Sequence, residues 1–315
     1  MAPYILNRVL SIFFVLIAVS FIIFFATHIL PGSAASLILG EHATKESLRT
    51  LEHEMGLDKP FYVQYLNWVK GIVSGHWGDS LVMKQPVVSI IKLRVKNSAF
   101  LAVFSLATLV LIGIPLGTLA ALRQKGKLGL AIMTGSYIGI SIPEFVTGIL
   151  LVLLFAGPWT HLLPTGGYQE FSQGISAWLK HLILPSATLT LILLAHVVRQ
   201  TRSGVIEVLK SNYVRTARLK GANESRVILR HTLRNGLLPT ITVLAMDLGY
   251  LMGSIVIVEE VFAYPGMGRL IIYAITNRDI PLLEMAVLII AAIYTVSNFI
   301  ADMLYMYLDP RIRYR

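Results

Sequence analysis

The chain has 315 residues, of which 55% are hydrophobic and 14% are charged, and its mean hydropathy is +0.70. So apolar a composition excludes an ordinary soluble domain and predicts a protein of the lipid bilayer. The formal net charge of +10 does not indicate a nucleic-acid partner, because the basic residues lie between apolar stretches without an aromatic-basic platform.

Six apolar stretches approach the roughly 20 residues that a helix needs to cross the bilayer core. They cover residues 9–30, 99–122, 129–157, 182–198, 236–258 and 281–307. The sequence therefore predicts an all-α, polytopic membrane protein with six transmembrane helices. We expect residues 1–98 to hold the first helix and a long external loop, and residues 99–315 to hold a core of five helices. The first stretch lacks a small-residue cleavage site before a polar domain, so we expect a retained anchor.

Lysine and arginine indicate the orientation, because cytoplasmic loops of membrane proteins carry an excess of them. With the N-terminus inside, the inner segments hold 16 of these residues, and the outer segments hold 11 in about twice the length of chain. Both termini are therefore expected in the cytoplasm.

The long outer loop, residues 31–98, contains two predicted helices. The first covers residues 44–55, with Thr44 as a possible N-cap and Gly56 as a stop, and the second covers residues 61–73. Two interpretations remain open. The helices either lie against the membrane surface or the rim of the bundle, or they form a docking surface for an external solute-binding protein.

The long inner loop, residues 199–235, is polar, basic and rich in helix-forming residues. It predicts a short helix across the cytoplasmic face, turned at Gly221 and Asn223. Periodicity alone allows two roles, a rigid lever or a basic helix in contact with anionic lipid headgroups.

Residues 213–239, which begin in this loop and end in the next apolar stretch, resemble the cytoplasmic signature loop of binding-protein-dependent ABC importer permeases. The family pattern is Glu-Ala-Ala, three residues and Gly, and this chain has Arg215-Thr216-Ala217 and Gly221 at that spacing. Arg215 stands where the broader pattern has Glu, and Arg234 stands where many members have Pro. Both departures look like the B-type permease subunit of the dipeptide, oligopeptide and nickel importers.

The resemblance extends over nearly the whole chain. The motifs that carry it are RVL at 8–10, LPG at 30–32, GLDKPFYVQYLNWV at 56–69, GIPLG at 113–117, SIPEF at 141–145, LLPTGGY at 162–168, EEVFAYPGMGRL at 259–270, NRDIP at 277–281 and LDPRIRYR at 308–315. One departure is Ser33-Ala34, where relatives often carry Asp-Pro. The resemblance implies the type I ABC importer permease fold in a bacterial plasma (inner) membrane.

The resemblance also implies how such a protein is driven. No G-x-x-x-x-G-K-[ST] stretch exists, so ATP and magnesium are expected in partner subunits and no cofactor in this chain. The implied partners are a second related permease, two cytoplasmic ATPases, an extracytoplasmic substrate-binding protein and membrane lipid. The implied coupling residues are Tyr213, Arg215, Thr216, Ala217, Arg218, Lys220, Gly221, Ala222, Asn223 and Glu224.

Carboxylates within apolar stretches mark further candidates, because each costs about 2.5–3.5 kcal/mol at the centre of a membrane helix. Asp247 is the most central, and it is hypothesised to face the pathway or the partner permease, or else to be a structural hydrogen-bond acceptor. Glu144 and Tyr250 are the other pathway candidates. Glu144 follows Pro143, where a proline bends a helix, and is therefore expected at a hinge. Glu284 and Asp302 lie near the ends of the last stretch and are expected to anchor it at the membrane surface.

Other classes have less support from the sequence. No catalytic set and no metal-ligand pair of histidines appears, and His196 is interpreted as a packing or capping residue. An ion-gradient-driven transporter is the alternative of another class, which internal repeats and broken helices would indicate. The cargo stays open among dipeptides, oligopeptides, a nickel or other metal chelate, glutathione and opines.

Overall fold

The computed structural model describes residues 2–29, 44–54, 56–158 and 160–308 of the chain. The regular structure in these residues is helical, as the all-α prediction requires, apart from one isolated bridge between Asp79 and Pro86. The main helices are α1 (Ala2–Ile29), α2 (Lys45–Glu54), α3 (Phe61–Val73), α4 (Val87–Leu122), α5 (Lys127–Ser141), α6 (Glu144–Phe155), α7 (Ile175–Leu209), α8 (Asn212–Leu219), α9 (Leu238–Val261), α10 (Met267–Thr276) and α11 (Ile280–Leu308).

Five of the described helices are long and apolar enough to cross a bilayer: α1, α4, α7, α9 and α11. The third of the six expected spans, residues 129–157, differs from the prediction. Instead of one helix over residues 129–157, the chain forms α5 and α6, which are bent by 111° from each other. The cause is Pro143, which lacks an N–H and forces the residue before it, Ile142, out of the helical region to φ −99° and ψ 130°.

Two helices extend well beyond the apolar stretches that predicted them. α4 begins at Val87 rather than at residue 99, and α7 covers Ile175–Leu209 rather than residues 182–198. Hydropathy detects only the apolar part of a helix, whereas the backbone hydrogen bonds continue through its polar turns. The motif at residues 30–32, the Ser33-Ala34 departure and residues 309–315 lie outside the described residues.

The chain divides into two compact units, and the first comprises residues 1–96 and 266–295. In it α3 packs on α1 through aromatic rings, with Phe24 centred 5.3 Å from both Phe61 and Trp68. The prediction that Glu284 anchors the last helix at the membrane surface is wrong. Its side chain is only 3% exposed and accepts a hydrogen bond of 2.6 Å from Thr27 Oγ1.

The second unit comprises residues 97–265 and 296–315, and α7 is its central helix. α7 packs against α5, α6 and α9 and buries an almost continuous run of side chains between Leu182 and Val205. Near its end, Gly204 meets the backbone of Gly236 so closely that an added Cβ would lie 2.2 Å from the Gly236 carbonyl oxygen. The helix and the segment that precedes α9 are therefore in backbone contact at this point.

Candidate functional site

A histidine and a carboxylate pair inside the apolar part of the second unit. Asp247 lies on α9 and is only 4% exposed, and its Oδ1 is 3.0 Å from Nδ1 of His196 on α7. The other oxygen, Asp247 Oδ2, is buried and has no hydrogen-bond partner among the described residues. His196 was expected to be a packing or capping residue, and in addition its ring hydrogen-bonds the carboxylate that α9 brings into the apolar interior. This contact matches the structural alternative considered for Asp247, a hydrogen-bond acceptor held by a neighbouring helix.

A second carboxylate lies at the break between α5 and α6. Glu144 is the first residue of α6, where the positive end of the helix dipole stabilises a negative charge. Its Oε1 accepts a hydrogen bond of 2.9 Å from Ser254 Oγ, and the hydroxyl of Tyr250 lies 3.4 Å away. The bend at Pro143 thus turns a carboxylate toward α9.

Tyr250 connects the two carboxylate sites. Its ring lies edge-on to that of His196, with 6.5 Å between the ring centroids, and its hydroxyl reaches Glu144. We call Glu144, His196, Asp247, Tyr250 and Ser254 the polar cluster.

The structure brings together all three pathway candidates of the sequence, Glu144, Asp247 and Tyr250. The sequence missed Ser254 and the role of His196. A signal for Ser254 was present, since residues 247, 250 and 254 follow one another at three and four positions, which places them on one face of a helix. No sequence pattern relates His196 to Asp247, which lies 51 positions away.

The predicted coupling residues lie on α8 and in the turn that follows it. α8 ends at Leu219, and Gly221 turns the chain with a φ of +81°, a conformation that a residue with a side chain seldom adopts. Arg218 closes the turn by donating to both oxygens of Glu224, from Nε at 2.7 Å and from Nη2 at 3.2 Å. Asn223 caps the next helical turn by accepting from the backbone N–H of Ser225.

One face of α8 is held to the following segment. Val214 is fully buried, and the hydroxyl of Tyr213 donates to the His231 carbonyl oxygen at 2.7 Å and accepts from Asn235 Nδ2 at 2.9 Å. The other predicted coupling residues remain available for contact: Arg215, Thr216, Arg218, Lys220, Gly221, Asn223 and Glu224 are exposed, and Ala217 and Ala222 are half-buried. The side chain of Leu219 is 80% exposed. α8 therefore presents an exposed face with basic and apolar side chains, while Tyr213 and Val214 hold its other face to the following segment.

The segment that holds α8 is an unusual helix. After the turn Glu224–Arg226 the chain forms a π-helix over Val227–Thr232 and one α-helical turn over Leu233–Gly236. The hydroxyl of Thr232 donates to the carbonyl oxygen of Val227, five residues earlier. A single sequence carries no reliable signal for a π-helix, and none was predicted.

No group of three or more histidine, aspartate or glutamate side chains that could hold a metal ion occurs within the described parts of the chain.

Two family models match the sequence. The model of binding-protein-dependent transport system inner membrane components matches residues 113–314, and the model of the N-terminal part of such membrane components matches residues 1–95. The polar cluster, α8 and the π-helix all lie within the first match.

Several proteins are similar over their whole length. A probable peptide ABC transporter permease of Sinorhizobium fredii is 37% identical over 314 residues, and a dipeptide transport system permease of Alkalihalophilus pseudofirmus is 34% identical over 333 residues. A glutathione transport system permease of Pectobacterium atrosepticum is 36% identical over 317 residues. Each match covers 100% of both chains. A solved amino acid ABC transporter is 17% identical with a TM-score of 0.47, covering 71% of this chain and 94% of the other.

Proposed function

This chain belongs to the family of binding-protein-dependent transport system inner membrane components, and we propose that it forms half of the translocation pathway of an ATP-driven importer for dipeptides or oligopeptides. Family membership confirms the expected fold, an all-α, multi-pass permease of the type I ABC importers. The observation that carries the peptide assignment is the end-to-end similarity to permeases named for peptide, dipeptide and glutathione transport.

The proposal includes the partners that the family resemblance implies. The second half of the pathway is a related permease, two cytoplasmic ATPases bind ATP and magnesium, and an extracytoplasmic protein delivers the peptide. Both termini then lie in the cytoplasm of the bacterium, in agreement with the lysine and arginine distribution.

The coupling surface of this importer is α8 with the turn through Gly221. Three features support this role: the exposed Arg215 and Lys220, the anchoring of Tyr213 and the position of α8 between the long helices α7 and α9. An ATPase that moves α8 would displace both spans together, which would switch the side from which the pathway is open.

One observation would also fit an ion-gradient-driven transporter. The pair α5 and α6 is a broken span. A transporter of that class places broken helices in corresponding halves of a repeat. The described residues contain a single such pair, and the family match assigns the chain to another class.

The test is uptake of a labelled dipeptide into proteoliposomes that contain the complete complex, with and without ATP. We expect uptake to require ATP and the binding protein. Lys220→Glu reverses a charge on the coupling surface and should reduce both uptake and retention of the ATPase subunits. Lys125→Glu, an exposed reversal in the turn between α4 and α5, is the matched control. Peptide uptake without ATP, or a complex that never retains an ATPase, would overturn the proposal.

A further inference from the structure

We propose that the polar cluster binds the primary ammonium group of the peptide as it passes through the membrane. This inference rests on the proposed function and adds to it a site and a chemical class of ligand.

The charges of the cluster favour a cation. Glu144 and Asp247 are two carboxylates, and His196 is the one group of the cluster that can carry a positive charge. With both carboxylates ionised and His196 protonated, the cluster has a net negative charge. Among the residues that the structure describes, neither carboxylate is paired with lysine or arginine. Because the surroundings are apolar, this charge attracts a cation more strongly than it would in water.

Asp247 is also incompletely satisfied. Its side chain is 4% exposed, and Oδ2 makes no hydrogen bond within the described residues, although buried polar atoms are nearly always paired. His196 occupies Oδ1 only. Asp247 Oδ2 can therefore accept a further hydrogen bond from a donor.

The cluster is open on its other side. Tyr250 is 49% exposed, and Glu144 and His196 are half-buried, so a ligand meets these three residues before it approaches Asp247. The aromatic ring of Tyr250 also offers a face to a cation. The cluster thus has a reachable rim and an unsatisfied carboxylate behind it.

A primary ammonium group matches this arrangement. It has three donors and no acceptor, which suits carboxylate oxygens and the phenol oxygen. Every unmodified linear peptide carries an ammonium at its N-terminus whatever its side chains are. A site for that group would let one pathway accept peptides of many sequences.

The test compares a free dipeptide with the same dipeptide acetylated at its N-terminus, using the complete importer in proteoliposomes. For each peptide kcat/KM of ATP-driven uptake is measured with the wild-type permease and with Glu144→Gln, Asp247→Asn and the double variant. We expect the ratio of free to acetylated peptide to fall about tenfold in the double variant, because an interaction with a charged donor is lost. The binding protein is the same throughout, so its own preference cancels between permeases.

Asp302→Asn is the control, because it removes a carboxylate of α11 outside the cluster. If Asp247→Asn does not assemble, Glu144→Gln and Tyr250→Phe alone should still lower the ratio. Variants that assemble and retain the wild-type ratio would overturn the inference, even if they transport slowly or are less stable. Absence of ATP-driven peptide uptake by the wild-type complex would instead contradict the proposed function.

Discussion

The carboxylate of Asp279 accepts the hydroxyl of Ser80, although 199 positions separate the two residues in the chain. It also accepts the backbone N–H groups of Leu81, at 3.1 Å, and Val82, at 3.3 Å. Ser80 and Asp279 are both almost fully buried. One side chain between α10 and α11 thus fixes the turn that leads into α4 within the first unit.

Replacing Asp279 with Ala should destabilise the protein by about 3 kcal/mol, because the buried Ser80 hydroxyl and two partly buried backbone N–H groups would lose their acceptor. Unfolding of the detergent-solubilised protein, followed by tryptophan fluorescence, measures the change. Asp79→Ala is the control, since Asp79 is exposed in the same turn. Equal stability of the two variants would contradict this role of Asp279.

Gly204→Ala should destabilise the second unit by about 2 kcal/mol, because the new methyl group would overlap the backbone of Gly236 and push α7 away from it. Gly253→Ala is the matched control on α9, where an added Cβ meets nothing within 4 Å. The melting temperature in detergent measures both. Equal melting temperatures for Gly204→Ala and Gly253→Ala would contradict the prediction.

Tyr213→Phe should leave the protein folded and weaken the link between ATP hydrolysis and uptake. The variant removes the hydroxyl that donates to His231 and accepts from Asn235. α8 would then lose the two hydrogen bonds that hold it to the segment before α9, and its movement would no longer be passed on to that segment. The measurement is peptide imported per ATP hydrolysed in proteoliposomes. Tyr62→Phe, at a tyrosine that is 66% exposed, should have no effect.

A double-mutant cycle tests the same contact independently. Because Tyr213 and Asn235 share one hydrogen bond, Asn235→Ala should cost less stability in the Tyr213→Phe background than in the wild type. Additive effects would show that the bond does not hold α8.

Asp58 lies outside the membrane spans, in the turn between α2 and α3. A hydrogen bond from His53 lowers the pKa of its carboxyl group. His53→Gln should therefore raise the pKa of Asp58, and the pH titration of its carboxyl carbon by NMR measures the shift. Since the pKa is lower in the folded protein, the contact stabilises the fold above the ordinary aspartate pKa and is lost as the pH falls through the lowered value. His76→Gln should leave the titration unchanged.

The class of the fold could be read from the sequence because apolar stretches of about 20 residues have a strong physical cause. The ends of α4 and α7 could not, since a helix continues wherever its backbone hydrogen bonds do. The proline of residue 143 indicated a bend, but its size, 111°, depends on the packing of α6 on α7 and α9.

The site was predictable only in part. Glu144, Asp247 and Tyr250 were selected because polar groups in apolar stretches are costly, and this cost acts on each residue separately. Their partners depend on distance in space, so His196 was assigned a different role. Likewise Glu284 lies near a helix end, but it is buried and accepts a hydrogen bond from Thr27, which is 257 positions away in the chain.

The break between Ser141 and Glu144 also excludes lipid chains from the backbone around it. A helix end leaves backbone N–H and C=O groups without partners inside the helix, and lipid chains supply none. Since α5 and α6 interrupt an apolar span at this point, the surroundings of Ile142 and Pro143 must be protein or water. Lipid chains are therefore excluded from one point within the depth of the bilayer, and a neighbouring protein segment or water takes their place there.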